Sequence, residues 1–172
     1  MGDQAKGPQR TVDLSGTAEL ADECATEALG ARVGRALRAG DLVALDGPLG
    51  SGKTCLVRGI AHGMGIDRAL VTSPSFILMQ RYRGAPNAAP TAEPTGLVHI
   101  DAWRMRSELD LADLGLDEIV AAGRDVIALE WPSKVQSALP QSIVRITLTP
   151  TPTGGRVALI EDQRDRGCDL GP

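Results

Sequence analysis

The stretch "GPLGSGKT" (47–54) directly follows the apolar run "LVAL" (42–45). Its spacing, Gly-x-x-x-x-Gly-Lys-Thr, fits the phosphate-binding P-loop at every required position. The run before it predicts a buried strand, and the residues from Lys53 to about Met64 predict a helix. A glycine-rich turn can match the pattern by chance, but the position between a strand and a helix favours the P-loop.

Each residue type in this loop has a chemical reason. Small residues allow successive backbone N–H groups to surround a polyphosphate, and the following helix directs its positive N-terminal end at the same charge. Lys53 can reach the β- and γ-phosphates, and the Thr54 hydroxyl can ligate Mg²⁺. The nucleotide-binding residues predicted from the loop are Gly47, Pro48, Leu49, Gly50, Ser51, Gly52, Lys53, Thr54 and Cys55.

Two carboxylates stand at the ends of predicted strands. Asp101 closes "LVHID" and Glu130 closes "DVIALE". The carboxyl ends of parallel strands line the ligand crevice of an α/β sheet, so both side chains can converge on the phosphates. One acid would hold Mg²⁺ and the other would orient the attacking water, although either can instead cap the next helix or turn. The predicted catalytic residues are Lys53, Asp101 and Glu130, and the predicted metal ligands are Thr54, Asp101 and Glu130.

Other motifs bear on the nucleotide. Ras-type GTPases read guanine with an Asn-Lys-x-Asp motif, whereas the asparagine of this chain, Asn87, is followed by Ala88. ATP is therefore favoured. The segment "TSPSF" (72–76) lies where P-loop proteins keep a switch that senses the γ-phosphate, so Ser73 and Ser75 are predicted switch residues. An ordinary Ser/Pro turn explains the segment equally well.

The composition limits the classes of partner. The chain carries a net charge of −4, so it lacks the basic surface with which a protein grips nucleic acid alone, and any RNA would be reached through another protein. No apolar run approaches the ~18 residues of a membrane span. Three widely separated cysteines without a C-x-x-C pair argue against a disulfide framework and a zinc site. We expect a cytoplasmic protein without membrane contact.

Strand and helix patterns alternate along one domain, predicted to span residues 11–160. The polar ends, 1–10 and 161–172, are predicted to be disordered, and the Pro/Ala-rich stretch 84–95 to be a mobile insertion. The predicted fold is α/β, a single-domain P-loop NTPase fold. Helices flank a mixed, mostly parallel sheet that ends in an antiparallel hairpin made by "IVRITLTP" and "GRVALI".

Several element boundaries follow from local signals. One helix is predicted from an N-cap at Asp22 to a stop at Gly40. A second opens with a capping box between Ser107 and Asp110 and continues past Ile119. Strands are predicted at "FILMQRY" and "LVHIDAW", and the alternation within the latter makes its histidine a hydrogen-bonded residue of the core or the site wall rather than a metal ligand.

The order of the motifs "GPLGSGKT", "SPSF", "HIDAWR", "LGLDEI" and "LEWP" resembles the TsaE (YjeE) family of bacterial P-loop ATPases. The resemblance covers nearly the whole chain. The departures are Pro48 and Ser51 in place of an acid and an alanine, Ser75 in place of threonine, Trp103 in place of tyrosine, and a longer insertion. None of them removes a phosphate or metal group.

The resemblance implies a function. The family serves the synthesis of threonylcarbamoyladenosine in tRNAs that read ANN codons, where a carbamoyl-transferring enzyme and a pseudo-enzyme partner form the catalytic pair. The ATPase would bind this pair and reset it by ATP hydrolysis, slow alone and stimulated by its partners. It would meet tRNA only indirectly.

The resemblance also implies residue roles. Thr54 and Glu130 would contact Mg²⁺, Asp101 would assist the metal or the water, and Trp131 would pack beside the nucleotide or the partner. Contacts on the adenine side are implied at Asp22, Thr26 and Arg156.

Two other function classes stay open. A small-molecule kinase on the same core needs a second pocket and an arginine-bearing lid, for which the Pro/Ala-rich insertion is poorly suited. A nucleotide-sensing module that never hydrolyses is disfavoured by the two acids at the strand ends.

Overall fold

The structure is a computed structural model that describes residues 14–74, 78–84 and 95–164. Strands and α-helices alternate along most of these residues, as the sequence predicts. In chain order they are β1 (Gly16–Leu20), α1 (Glu23–Ala36), β2 (Leu42–Asp46), α2 (Lys53–Gly63), β3 (Met79–Arg83), β4 (Gly96–Asp101), α3 (Glu108–Asp113), α4 (Leu116–Ala122), β5 (Val126–Glu130), β6 (Val144–Pro150) and β7 (Arg156–Asp162).

All seven strands form one sheet in the order β1-β7-β6-β2-β5-β4-β3. The four central strands, β6, β2, β5 and β4, pair in parallel, while β3, β7 and β1 pair antiparallel at the edges. This confirms the predicted α/β class, the mixed sheet and the C-terminal hairpin. The parallel centre brings the carboxyl ends of β2, β4 and β5 to the same edge of the sheet.

Helices cover both faces of the sheet, and β2 supplies side chains to both layers. Val43 and Leu45 belong to a hydrophobic cluster with α1 and α2. Leu42 and Ala44 belong to a second cluster with α3 and α4. All four are 2% exposed or less, which agrees with a strand buried on both faces.

The backbones of α1 and α2 approach closely because glycine occupies their contact points. A Cβ on Gly30 would lie 2.3 Å from the Leu56 carbonyl oxygen, and one on Gly59 would lie 2.2 Å from that of Glu27. Neither position tolerates a side chain without separation of the helices. This contact fixes the start of α1 beside the phosphate loop.

The first helix ends earlier than predicted. Asp22 is its N-cap, as expected, and accepts a hydrogen bond from the Ala25 N–H. The helix stops at Ala36 rather than at Gly40, because Leu37 takes an extended conformation and is buried, 5% exposed. Gly40 instead forms the turn into β2 with a φ of 88°.

The predicted helix after residue 107 is two helices, α3 and α4. Gly115 separates them with a φ of 73° and is the N-cap of α4. The predicted capping box was wrong, because the Ser107 side chain makes no capping hydrogen bond. The Asp110 carboxylate accepts from the Arg106 N–H, one residue before the expected donor.

The domain continues past the predicted boundary at residue 160. Strand β7 runs to Asp162, and the Arg164 guanidinium is bound to Asp162, Asp41 and the Ala36 carbonyl oxygen. Residues 1–10, 165–172 and most of the predicted insertion, 85–94, lie outside the described part of the chain. None of the helices in the described part is long and apolar enough to cross a membrane.

Candidate functional site

The loop between β2 and α2 depends on glycines with positive φ. Gly47, Gly50 and Gly52 have φ values of 140°, 77° and 102°, a region that glycine adopts without steric cost. A Cβ on Gly47 would lie 2.5 Å from the Leu148 carbonyl oxygen of β6. Gly52 is the N-cap of α2 and offers no side-chain cap. The N–H groups of the first turn are therefore directed at the loop, where they can bind an anion.

Lys53 is the first residue of α2 and is buried, 4% exposed. Its Nζ atom donates to the carbonyl oxygens of Gly47 at 2.8 Å and Pro48 at 2.9 Å. The same atom lies 3.9 Å from the ring centroid of Trp131, a cation–π distance. The lysine thus folds back onto its own loop.

Burial and the nearby carboxylates act on the pKa of Lys53 in opposite directions. Desolvation by burial lowers the pKa of the ammonium group, against the opposing field of Glu130, Asp101 and Asp46. A phosphate beside Nζ would add negative charge where burial penalises the positive form. The loop can therefore hold a polyphosphate through both its backbone and this side chain.

Glu130, the last residue of β5, accepts two hydrogen bonds on one oxygen. The Thr54 hydroxyl donates to Oε1 at 2.8 Å, and His99 Nε2 lies 2.9 Å from the same atom. Glu130 is 3% exposed and His99 is fully buried. The structure therefore joins the loop hydroxyl and the strand-end acid that the sequence predicted as metal ligands.

Asp101, the last residue of β4, lies opposite Glu130 in the parallel register. Its Oδ1 atom accepts from the Trp103 N–H at 2.9 Å, which caps the short 3₁₀ turn that follows the strand. Asp101 therefore caps the next turn, as one interpretation expected. It also lies among the residues of the candidate site, as the other expected.

Two tryptophans form one wall of the site. The rings of Trp103 and Trp131 lie with their centroids 4.5 Å apart and their planes inclined by 46°. Trp131 has a φ of 61°, an uncommon conformation for a large side chain. Its N–H donates to the Leu45 carbonyl oxygen, so a backbone hydrogen bond to β2 holds the turn that positions the ring.

These residues surround a cleft of about 280 Å³. The predicted residues that line it include both acids, the loop lysine and threonine, Trp131 and the switch residue Ser73. The lining residues are Glu23, Leu49, Gly50, Gly52, Lys53, Thr54, Cys55, Arg58, Ser73, Asp101, Trp103, Glu130 and Trp131. Ser75, the second predicted switch residue, lies outside the described residues.

The three residues predicted on the adenine side lie together, next to the cleft rather than in its lining. Arg156 donates from Nη1 to the Thr26 hydroxyl at 3.2 Å, and that hydroxyl donates to the Asp22 carbonyl oxygen at 2.8 Å. The Arg156 Nη1 atom also lies 2.5 Å from the point where a Cβ on Gly52 would be. The guanidinium group therefore borders the phosphate loop.

Sequence reasoning missed three residues of the cleft. Arg58 lies one turn after Thr54 on α2, and its Nε donates to the Val71 carbonyl oxygen at 3.1 Å. The i, i+4 spacing to Thr54 was available as a signal. Glu23 and Trp103 gave no such local signal, because α1 packing and the turn after β4 bring them to the site.

Cys55, predicted in the loop set, is buried behind the first turn of α2. Its thiol donates a hydrogen bond to the Glu23 carbonyl oxygen, with 3.4 Å between Sγ and that oxygen. Burial raises the pKa of the thiol, and Glu27 and Glu23 raise it further. The thiol is therefore held in its protonated form, which suits packing rather than nucleophilic chemistry.

The donor set fits Mg²⁺ bound together with a phosphate. In the described residues, no group of three or more His, Cys, Asp or Glu side chains is arranged to hold a metal ion. Mg²⁺ in nucleotide sites is usually held by one or two carboxylates together with substrate phosphates. The contact between the Thr54 hydroxyl and the Glu130 carboxylate supplies oxygen donors of the required kind.

Comparison with known proteins assigns this chain to a family. The family description "Threonylcarbamoyl adenosine biosynthesis protein TsaE" matches residues 20–158 of the chain. The chain belongs to the TsaE family. Every predicted residue of the candidate site lies within the matched range.

Curated relatives agree with this assignment. The chain is 39% identical over 127 residues to the "tRNA threonylcarbamoyladenosine biosynthesis protein TsaE" of Treponema pallidum, covering 74% of this chain and 86% of that protein. It is 40% identical over 121 residues to the protein of the same name from Streptomyces coelicolor, covering 70% and 76%. TsaE membership therefore rests on most of the domain.

A solved structure supports the fold. The crystal structure of Bacillus subtilis YdiB aligns with a TM-score of 0.66 and 24% sequence identity, over 90% of this chain and 91% of that one. At this identity the likeness concerns the arrangement of helices and strands, which the TsaE-family chain shares.

Proposed function

We propose that this TsaE-family chain binds ATP with Mg²⁺ and hydrolyses it in the cytoplasm as an accessory protein of threonylcarbamoyladenosine synthesis in tRNAs reading ANN codons. The observation that carries the proposal is the 2.8 Å hydrogen bond from the Thr54 hydroxyl to Glu130 Oε1, beside the buried ammonium of Lys53. It joins a phosphate loop to a strand-end acid, as ATP hydrolysis requires.

The residues of the cleft divide the work. The N–H groups of the loop and the first turn of α2 would bind the phosphates, and Lys53 would exchange its loop carbonyls for phosphate oxygens. Thr54 and Glu130 would hold Mg²⁺, which when bound neutralises charge that develops on the phosphates. Asp101, in register with Glu130, would orient the attacking water.

The adenine side of the nucleotide would lie toward the group formed by Arg156, Thr26 and Asp22. Arg156 borders Gly52 of the loop and donates to Thr26 of α1. The Thr26 hydroxyl is already engaged with Asp22 and Arg156, so Arg156 is the member of the group that is best placed to meet the ligand directly.

Hydrolysis by the isolated protein would be slow. Of the arginines in the described residues, Arg58 is the one that lines the cleft, and its Nε atom is held by the Val71 carbonyl oxygen. An arginine supplied in trans accelerates phosphoryl transfer by ~10³–10⁵. We therefore propose that the carbamoyl-transferase and its pseudo-enzyme partner complete the site, and that hydrolysis resets their complex.

Steady-state phosphate release with and without the purified transferase–pseudo-enzyme pair tests the proposal. We expect slow release alone and a marked acceleration by the pair, with Lys53→Ala as the control for contaminating ATPase. Fast hydrolysis that the pair does not alter would contradict the reset function and favour a kinase, which a screen for phosphorylated metabolites would then reveal. Tight tRNA binding by the isolated chain, whose net charge is −4, would contradict the indirect contact with tRNA.

A further inference from the structure

His99 lies in the middle of β4 and is fully buried. It pairs with Ala128 of β5 on one side and Gln80 of β3 on the other. Leu97, two residues earlier on the same face, belongs to the hydrophobic cluster below α1 and α2. An imidazole is therefore the polar exception on an otherwise apolar part of the sheet.

The hydrogen bonds of this imidazole are uneven. Nε2 lies 2.9 Å from Glu130 Oε1, and because a carboxylate only accepts, Nε2 carries the hydrogen. Nδ1 is buried and has no hydrogen-bond partner in the described residues. Buried polar atoms are usually paired, so packing alone does not account for a histidine here. The Nε2–H group, which donates to Glu130, is therefore the part of the side chain that makes a hydrogen bond.

The bond from His99 falls on the oxygen that Thr54 also contacts. Both hydrogen bonds to the Glu130 carboxylate from described residues are made to Oε1. Two donors on one oxygen fix the rotation of the carboxyl group about its last torsion. Oε2 then keeps its lone pairs for a ligand in the cleft that Glu130 lines.

We propose that His99 is a positioning residue that holds the Glu130 carboxylate in the orientation required to bind the nucleotide-associated metal ion. This inference rests on the proposed function, since it concerns how the same site binds Mg²⁺. Hydrogen bonds from neighbouring side chains to the ligands of a metal ion fix the geometry of those ligands, and their removal costs roughly 10–100-fold in metal affinity.

Two substitutions separate the positioning role from packing. His99→Gln places an amide N–H at the same number of bonds from the backbone as Nε2, whereas His99→Asn places it where Nδ1 stands. Leu97→Val serves as the packing control, because it alters a buried side chain on the same strand and face without touching Glu130.

The measurement is calorimetric binding of a non-hydrolysable ATP analogue, with Mg²⁺ and with EDTA, to each folded variant. The gain in affinity on adding Mg²⁺ should fall by roughly 10–100-fold in His99→Asn, and His99→Gln should retain most of it. Affinity in EDTA should be the same in all proteins, and Leu97→Val should match the wild type. In a Glu130→Gln background, His99→Asn should have no further effect.

Each outcome decides a different point. A wild-type protein without any gain from Mg²⁺ would overturn the proposed function and this inference with it. A normal wild-type gain that both His99 variants retain would overturn the inference alone. Equal losses in His99→Asn, His99→Gln and Leu97→Val, or losses that persist in EDTA, would assign His99 to packing and likewise overturn it.

Discussion

Buried charges lie at both ends of the central strands, and their hydrogen bonding differs. At the amino ends, Arg164, Asp162 and Asp41 form an ionic cluster that we call the clasp. At the carboxyl ends, Lys53 and Glu130 lie in the cleft with only loop carbonyls, a hydroxyl and an imidazole as their bonded partners among the described residues. In the clasp the charges pair with each other, whereas in the cleft they do not.

The clasp leaves few unsatisfied groups. Arg164 donates from Nε and Nη2 to Asp162, and from Nη1 to Asp41 and the Ala36 carbonyl oxygen. Burial by itself would raise the pKa of Asp162, but the hydrogen bonds and charge of Arg164 outweigh it and lower that pKa. A cluster in this state stabilises the fold and offers little to a ligand.

The cleft has the opposite character. The Ser51 hydroxyl and His99 Nδ1 are buried without a hydrogen-bond partner in the described residues, and burial lowers the pKa of Lys53. Strained or unsatisfied groups are expected where function rather than stability determines the residue. Saturation of hydrogen bonds therefore distinguishes the structural ion cluster from the candidate binding site in this molecule.

The largest expected effect is a loss of unfolding free energy when the ion pairs of the clasp are broken. Arg164→Met leaves Asp162 buried without its counter-ion, which typically costs about 3–5 kcal/mol of unfolding free energy. Urea denaturation at pH 7 would measure it, with Arg145→Met as a partly exposed control expected to change stability by about 0.5 kcal/mol or less. Nucleotide affinity of the folded variant should be unchanged, since the clasp lies at the opposite end of the strands. A loss of nucleotide binding without a loss of stability would reverse the assignment of the two regions.

Lowering the pH should reduce the difference in unfolding free energy between the wild type and Arg164→Met. The pKa of Asp162 is lowered below its ordinary value of 3.8 in the folded protein, so its contribution to stability is present above that value. The contribution is lost as the pH falls through the lowered folded pKa. Denaturation series at pH 7 and at successive values below 3.8 should show the two proteins converging. A difference that stays constant throughout would mean that Arg164 stabilises the fold by packing rather than by charge.

A middle-sized effect is expected from Glu130→Gln. The amide oxygen can still accept from Thr54 and His99, so the fold and the Mg²⁺-independent part of ATP binding should persist. The lost charge cannot hold Mg²⁺ or orient water as a carboxylate does, and hydrolysis should fall on the order of 100-fold, about 2.7 kcal/mol in the barrier. Phosphate release in the presence of the partners measures it, with exposed Glu118→Gln as the control. Unchanged turnover would move the catalytic role to Asp101.

The sequence predicted the parts of the site that depend on local signals. The P-loop, the acids at the ends of β4 and β5 and the N-cap at Asp22 all follow from short-range patterns. The structure brings the loop and the two acids together in the cleft. The break at Gly115 was missed because a helical glycine and a helix-breaking glycine look alike in a periodic pattern. The early end of α1 depends on the burial of Leu37, which is a tertiary effect.

The sequence did not predict which residues that are distant along the chain contact each other. The sequence suggested a hydrogen-bonded His99 but not its partner, because Glu130 is 31 positions away and meets it through the β4–β5 register. The position of Arg156 beside Gly52 likewise depends on where the hairpin lies in the sheet. The roles assigned to the site residues stay predictions until binding and turnover are measured.

The smallest effect is expected from Ser51→Ala. The hydroxyl is buried without a partner among the described residues, and an unsatisfied buried group costs about 1–3 kcal/mol. Its removal should leave the nucleotide-free protein as stable as before or up to about 1 kcal/mol more stable. Thermal unfolding with and without the ATP analogue would show whether the gain shrinks when the ligand is bound, and exposed Ser133→Ala should change neither value. A clear destabilisation would mean that the hydroxyl has a structural role.

We propose that the charges at the carboxyl ends are held for a polyphosphate rather than for the fold. Calorimetric titration of a non-hydrolysable ATP analogue with Mg²⁺ into the wild type and Lys53→Ala tests it directly, with Lys134→Ala as the control. Lys53→Ala removes a charge-assisted hydrogen bond worth about 1.5–3 kcal/mol, so we predict roughly 10- to 100-fold weaker binding with no loss of unfolding free energy. Wild-type affinity in Lys53→Ala, or a fold that fails without this lysine, would contradict the claim.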